Sequence, residues 1–483
     1  MAIYHLTATV VSRARGQSVA AAAAYRSGSA LRDERYGLLH NYTRNRQVAH
    51  AEIMAPEGAP AWARDRETLW NRVEAAERRK DSQLARAIEI SLPAELSAAE
   101  NVALLRDYIA QEFVAKGMIA DFCIRGSDPR NPHAHILLTL REPTPSGFGP
   151  KARHWNRKSN LLEWRQAWAE RANQHLARAG HSVRIDHRTL EAQQSELTPA
   201  RQVGVGRSRQ TDDRLPNHIK ERIADQQRIA RQNGEMIVED PSVALRALTR
   251  YRPSFTRQDM VEFLRSRTAD AAQLDAVLAA IMESNELVEL PAAEGRPARF
   301  SSRDMLEAEK SLVKRVATLV KRRAHGASAA PLPGPALRLT GRQRSVLEYL
   351  LADGDIKAFS APGDDRNSIL AAARQVWESR GLSIAGAAVS RIAAQELRAC
   401  GIESRTLEAQ EDEWRDGRGL PTQNHVLVVD GAEMIGLKQL ERVLAVADKS
   451  HAKLVLIGDA QELAAMQSQS VFQGILAAVG PAD

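Results

Sequence analysis

Three runs near the C-terminus, Ile356-Lys-Ala-Phe359, Val426-Leu-Val-Val-Asp430 and Lys453-Leu-Val-Leu-Ile-Gly-Asp459, are apolar almost without interruption. A strand with one solvated face alternates polar and apolar residues, whereas a strand covered on both faces does not. Helical stretches separate the three runs, so they are expected to be parallel strands within a βα array. The first two hundred residues carry a different pattern. Ile3–Val11 is a strand by its composition, and Ser18–Leu31 a helix by its alanine run. Ala61–Glu77 is a second helical stretch opened by the Pro56–Pro60 turn region. Arg86–Pro93 is a strand closed by proline, and the apolar period from Val102 to Phe113 makes Ser97–Lys116 helical. Met118–Arg125 and His135–Arg141, separated by a turn-rich segment, are predicted to pair as antiparallel strands. A helix over Leu161–Ala179 ends at Gly180.

At 483 residues the chain exceeds one compact core. The expected class is α/β with several domains. Residues 1–195 form an α+β domain with a central antiparallel sheet, followed by a polar linker over 196–214. Residues 215–323 are mostly helical; within them Pro253–Arg267 and then Glu286–Leu306 predict a helix and a hairpin, a winged-helix-like module. Residues 324–336, rich in Ala, Gly, Ser and Pro, are a second linker, and 337–483 form the parallel α/β domain.

No apolar run approaches bilayer length, and the N-terminus lacks a basic region ahead of its short apolar stretch. Cys123 and Cys400 suggest no disulfide framework. A cytoplasmic protein without a membrane partner is therefore expected. The net charge of +7 and pI near 9.5 favour polyanions. Between Lys151 and Arg188 nine Lys/Arg, among them Arg153, Arg157 and Lys158, stand against three acids, with Trp155, Trp164 and Trp168 interleaved. Cations neutralise phosphates and exposed aromatics stack bases, as single-strand DNA requires. The other reading is an amphipathic helix burying its aromatics, which the i, i+4 spacing of Trp164 and Trp168 favours. The basic residues stay available for phosphate either way.

Asn131-Pro-His-Ala-His135 opens an apolar strand. Two histidines at i, i+2 on a strand share a face, where their imidazoles can converge on one ion or form a structural pair. Tyr25 sits in Ala21-Ala-Ala-Ala-Tyr-Arg-Ser-Gly28, where small neighbours admit a polymer. A tyrosine there is either a half-buried surface residue or a covalent nucleophile.

Taken together, Met1–Leu6, Gln17-Ser18, the Tyr25 helix, Ala55–Trp62, Trp70–Pro93, Asn131–Arg141 and Arg184–Gln193 resemble the MobA/MobL-type relaxases of mobilisable and conjugative plasmids over residues 1–195. The resemblance implies an HUH nuclease whose tyrosine precedes its histidine pair; replication initiators place it after. It implies transesterification by Tyr25, with His133 and His135 on a divalent metal (Mg²⁺ or Mn²⁺), and Glu89 and Arg125 at the catalytic centre. Arg26, Lys151, Arg153, Arg157 and Lys158 would bind DNA. The implied partners are single-stranded DNA at an origin of transfer, a type IV secretion coupling protein and accessory mobilisation proteins. Arg125 stands where the family has a third histidine, and a guanidinium has no lone pair to offer. Either Arg125 contacts the scissile phosphate, with Asp128 as the nearest acid, or the chain is a weakened or inactive single-strand DNA-binding derivative. Ala87 stands where the family often has an acid. Asp186-His187-Arg188 is expected to be a structural hydrogen-bonding corner.

Residues 337–483 resemble the first RecA-like domain of the superfamily 1 helicase fused to Ti-plasmid-type relaxases. The phosphate loop departs from that pattern: Ser360, Asp365, Arg366 and Asn367 occupy the places of the glycines, lysine and hydroxyl that cradle nucleotide phosphates. Asp430 is retained but Gly431 follows it, Ala460 and Glu462 alter the next motif, and Gln343 keeps the adenine-side position. With the chain ending at Asp483, ahead of any second RecA-like domain, neither ATP nor helicase activity is expected, and the domain is expected to fold as a DNA- or partner-binding module.

Overall fold

The computed structural model describes residues 5–44, 47–125, 131–181, 183–188, 197, 217–250, 252–291, 297–322, 325, 339–459 and 471–479. They fall into two compact units, one of residues up to Leu176 with Val183–Arg188, the other of residues from Thr189 onward with Ala177–Ser182. Apart from Leu197 and His325, both expected linkers lie outside the described residues. Among the described residues no helix is long and apolar enough to cross a membrane.

The first unit runs β1 (Leu6–Ser12), α1 (Val19–Ser27), β2 (Ala30–Asp33), β3 (Leu38–Asn41), β4 (Val48–Met54), α2 (Arg66–Ala76), β5 (Gln83–Ser91) and α3 (Ala98–Glu112). It continues with β6 (Ala120–Arg125), β7 (His133–Leu138), β8 (Arg141–Thr144), β9 (Gly147–Lys151) and α4 (Lys158–Arg178). Five strands form one antiparallel sheet in the order β1-β5-β7-β6-β4, so the two strands expected to pair, β6 and β7, do so. One sheet face is covered by α1 and α2 through Val19, Ala23, Ala24, Leu69 and Trp70. On the other, Arg86 of β5 lies over the Trp164 ring of α4, and Tyr108 of α3 donates to the Trp164 carbonyl.

Several boundaries differ from expectation. The alanine run predicted a helix to Leu31, but Gly28 adopts a left-handed φ of 65°, which a glycine takes without a Cβ clash and which ends α1. Leu31 instead points inward from β2. The stretch over Ala61–Glu77 breaks at Asp65, whose carboxylate caps α2 by accepting from the Thr68 N–H at 2.8 Å. The helix from Ser97 ends at Glu112. The β2–β3 hairpin, β4 and the β8–β9 pair carry no strong apolar alternation and were not anticipated.

A buried clasp sets the start of α1. The Arg13 guanidinium donates to Glu74 Oε2 of α2 and to the carbonyls of Glu74, Glu77 and Arg79, while Glu74 Oε1 accepts from the Val19 N–H at 3.1 Å. Both side chains are almost fully buried. Each charge is compensated only while the other is present.

The second unit begins with α5 (Asn217–Glu239), α6 (Pro241–Leu248), β10 (Phe255–Thr256), α7 (Arg257–Arg265), α8 (Ala271–Glu283), β11 (Leu287–Glu289), β12 (Arg299–Ser302) and α9 (Arg303–Lys321). A small antiparallel sheet, β10-β12-β11, packs with α6, α7 and α8 around Phe255, Met260 and Ile281. Next come α10 (Gly341–Leu351), β13 (Ile356–Ser360), α11 (Gly363–Ser379), β14 (Ser383–Ala388), α12 (Arg391–Ala399), β15 (Ser404–Thr406) and α13 (Leu407–Arg415). β16 (His425–Asp430), α14 (Leu437–Ser450), β17 (Lys453–Gly458) and α15 (Val471–Val479) complete it. The sheet β13-β17-β16-β14-β15 is parallel throughout, so the three apolar runs are neighbouring parallel strands as expected. Apolar layers cover both faces, α10, α11 and α12 on one, α9, α13 and α14 on the other. Thus α9 gives its apolar side to the parallel sheet, and Arg315 ties it to Glu441 and Asp448 of α14.

Two predictions follow from buried charge. Glu74→Ala leaves the Arg13 guanidinium uncompensated and should cost about 3–5 kcal/mol in denaturant unfolding; a cost near zero would remove the clasp from the account of α1. Lys453, buried in β17 with Nζ donating to the Ala352 carbonyl at 3.0 Å, is pushed down to about 7 by burial, with Lys357 adding to the effect. The unfolded lysine keeps its proton to a much higher pH, so above pH 7 the unfolded chain binds more protons and stability rises toward alkaline pH. The thermal midpoint should therefore climb between pH 7 and about 10, and Lys453→Met should flatten that slope; equal slopes would refute it.

Candidate functional site

The centre of the first unit is strand β7, bonded to β5 on one side and β6 on the other. Opposite His133 stand Ser91 and Arg125; opposite His135 stand Glu89 and Cys123. Directly paired residues point to the same face, so both histidines, Glu89 and Arg125 lie on the face that α1 covers. There α1 delivers Tyr25. The Arg125 Nη2 donates to the Tyr25 carbonyl at 2.6 Å, and the guanidinium carbon lies 4.2 Å from the centre of the phenol ring. Tyr25 remains 47% exposed. Tyr42, just past β3, meets the Tyr25 ring edge-on at 5.4 Å. Tyr42 belongs to no motif of its own; its signal in the sequence is the interleaving of Arg and Tyr from Arg32 to Arg44.

The electrostatics of this end follow from burial. Burial pushes His135 down to about 4, with Arg26, Arg125 and His133 acting in the same direction and Glu89 against them. The imidazole is thus neutral near pH 7 with a lone pair to give. Burial also lowers Arg26 below the usual guanidinium range and raises the Cys123 thiol to about 11, keeping it a neutral thiol. Three buried nitrogens here lack a hydrogen-bond partner: His133 Nδ1, Arg26 Nε and Arg125 Nε.

These atoms bear on a metal. A neutral His135 and an unpartnered His133 nitrogen are the donor chemistry a divalent ion needs, so the pair fits two coordination positions. Among the described residues no group of three His, Cys, Asp or Glu completes a site, and Asp128 lies outside them. Arg125, across the strand pair from His133, offers positive charge instead of a third ligand.

The basic cluster stands elsewhere. Lys151 Nζ donates to the Gln83 carbonyl at 2.7 Å and pairs with Glu77. Gln83 is at the far end of β5 from Glu89, about 20 Å along the strand. Arg153 and Arg157, both exposed, follow β9, and Lys158 opens α4. Trp155, Trp164 and Trp168 are all buried, so the core reading holds and none of the three is free to stack a base. Arg188 grips the Asp186 carboxylate with its Nε and Nη2, the structural corner expected.

In the second unit the loop after β13 leads into α11. Arg366 is buried with one nitrogen 3.1 Å from Asp430 and the other on Glu396. Burial raises Asp430 to about 6, against the pull of Arg366. Gln343 donates to Asp365 at 2.6 Å and also closes the capping box of α10. Asp364 and Asp365 occupy the first turn of α11, where negative side chains favour the helix dipole. Asn367 lies beside Arg366 on the same helix; Glu462 is outside the described residues.

Comparison with known proteins bears on both units. A family model described as the MobA/MobL family matches residues 17–213, and one described as an AAA domain matches 338–482. The conjugal transfer protein TraA of Rhizobium radiobacter is 32% identical over the whole of this chain and 48% of its own length. This chain therefore spans about half the length of that relative. The mobilization protein MobL of Acidithiobacillus ferridurans is 38% identical over 51% of this chain and 74% of its own. A solved chain from a study described as "Molecular Basis of Vancomycin Resistance Transfer in Staphylococcus aureus" is 38% identical over 39% of this chain and all of that one, with a TM-score of 0.37. With a MobA/MobL match over the tyrosine-and-histidine unit and a mobilisation protein covered over most of its length, the chain belongs to the MobA/MobL relaxase family of conjugal transfer and mobilisation proteins.

Proposed function

We propose that this chain nicks one DNA strand at an origin of transfer and holds the cut end on Tyr25. The observation that carries this is the meeting of Tyr25, Arg125, His133 and His135 at one end of one sheet face. In the proposed step the Tyr25 oxygen forms a bond to the scissile phosphorus and the bond to the 3′-oxygen breaks. The phenol gives up its proton and the leaving oxygen ends as a 3′-hydroxyl, so a 5′-phosphotyrosine keeps the ester energy for rejoining. His133 and His135 would hold a divalent ion, Mg²⁺ or Mn²⁺, whose Lewis acidity polarises a non-bridging phosphate oxygen. Arg125 keeps the tyrosine main chain in place, and its guanidinium would add fixed positive charge where negative charge develops on the phosphate. Glu89 offsets the cations around His135.

Single-stranded DNA at the origin is the substrate in this reading, with a type IV coupling protein and accessory mobilisation proteins as the partners that pass the adduct on. The second unit takes no part in ATP turnover. Its Arg366 sits against Asp430, the acid that would otherwise serve a nucleotide-bound Mg²⁺, and Asp365 turns Gln343 away from an adenine-binding role.

Incubating the chain with Mn²⁺ and an origin oligonucleotide should give a covalent adduct that Tyr25→Phe abolishes while binding persists. Adduct from neither protein, with DNA bound by both, would establish the non-catalytic derivative instead. Arg125→His should lower cleavage by about 10²-fold, because it removes both the carbonyl contact and the charge; increased cleavage would mean that Arg125 displaced a useful ligand. Equilibrium dialysis with ATP should detect no binding, and DNA-stimulated phosphate release would sink that part.

A further inference from the structure

Five of the eleven exposed large hydrophobic side chains among the described residues fall within eighteen positions: Tyr25, Tyr36, Leu38, Leu39 and Tyr42. All but Tyr25 belong to the β2–β3 hairpin or its immediate end. Such a cluster on a small hairpin usually marks a binding surface rather than scattered exposure.

The hairpin is held rigidly. Fully buried Asp33 accepts from the Ser18 hydroxyl and from the N–H groups of Arg35 and Tyr36 at 3.1 and 3.3 Å. Asn71 of α2 accepts from the Glu34 N–H and donates to the Arg32 carbonyl at 2.7 Å. The Tyr42 N–H is tied to the Ser29 carbonyl at 3.1 Å. The outward side chains are therefore presented by a fixed backbone, so little ordering remains to oppose a ligand.

Its chemistry suits one polymer. Leu39 and Arg32 are paired across the two strands on one face. The Arg35 guanidinium lies 5.9 Å from the Tyr36 ring centre, and exposed Arg44 follows Tyr42. Between residues 30 and 44 the only exposed acid is Glu34. Planar and apolar groups alternating with cations match a chain of bases alternating with phosphates. The surface also runs into the nucleophile, since Tyr42 abuts Tyr25.

We infer that the outer side of this hairpin is a stacking ledge for single-stranded DNA. Tyr42, Leu39 and Tyr36 receive the bases of nucleotides adjoining the phosphate that Tyr25 attacks, and Arg32, Arg35 and Arg44 take their phosphates. The ledge grips without reading sequence, because every base has a stacking face. This placement rests on the nicking reading.

The test uses the full chain carrying Tyr25→Phe and a fluorescein-labelled oligodeoxythymidine of about twelve nucleotides, followed by anisotropy. Adding Tyr36→Ala with Leu39→Ala should weaken binding about tenfold or more. Adding Arg35→Ala instead should reduce the slope of affinity against salt by about one. Circular dichroism of each variant should match the parent, as expected for exposed positions. Unchanged affinity in the Tyr36–Leu39 variant would overturn the ledge and leave the surface to another occupant such as a protein; a parent that binds no oligodeoxythymidine would overturn it too. Should wild type form the Tyr25 adduct while the ledge variants bind normally, the nicking reading stands without the ledge. Loss of binding in those variants with no adduct from wild type keeps the ledge as a DNA site and removes the nicking.

Discussion

The register of β7 between β5 and β6 is the constraint on which the tyrosine end depends. A strand pair slipped by one residue would turn every side chain to the opposite face. His135 would then lie against the α3–α4 side, and Arg125 would no longer stand beside His133 and under Tyr25. In the register observed, one sheet face collects two imidazoles, a carboxylate, a thiol and a guanidinium from three strands. Burial then decides the charge states of His135 and Cys123. It outweighs Glu89 at His135, leaving that ring neutral, while Cys123 stays protonated. Arg26 and Arg125 supply positive charge there, a setting suited to an anionic backbone.

The sequence made local periodicity legible and left long-range contacts to the fold. His133 and His135 share a face because the strand period is two, and the C-terminal runs are parallel strands because both faces are apolar. The meeting of Tyr25 with Arg125, a hundred positions apart, has no local signature; only the family resemblance pointed to it. The β2–β3 hairpin was missed for a different reason. Its order comes from Asp33 and Asn71 satisfying backbone groups from within, and a charged stretch such as Leu31–Arg44 shows no apolar alternation. Helix ends were overrun where alanine propensity ignored a left-handed glycine or a mid-stretch aspartate cap. The three tryptophans were open to two uses, and packing against Arg86, Tyr108 and Phe113 decided for the core.

Both units bury charge beside a strand end, with different partners. At the tyrosine end, buried guanidinium nitrogens are left without partners beside an open surface. At the top of β13 and β16 in the parallel domain, Arg366 engages Asp430 and Glu396 and Gln343 engages Asp365, while Arg366 Nε and Asp430 Oδ2 are buried without partners. The strands beneath are apolar on both faces, as a parallel sheet covered by helices on each side requires.

That mutual engagement makes the contacts costly to dismantle one at a time. Asp430 is buried and has Arg366 as its counter-ion; exchanging the arginine for a shorter-reaching lysine loses the forked contact that also reaches Glu396, and removing it strands a carboxylate in the interior. Replacing Asp365 alone would release Gln343 but leave Arg366 on Asp430 and Glu396. The salt links therefore brace one another, and a single substitution along this loop disturbs more than the one contact it removes.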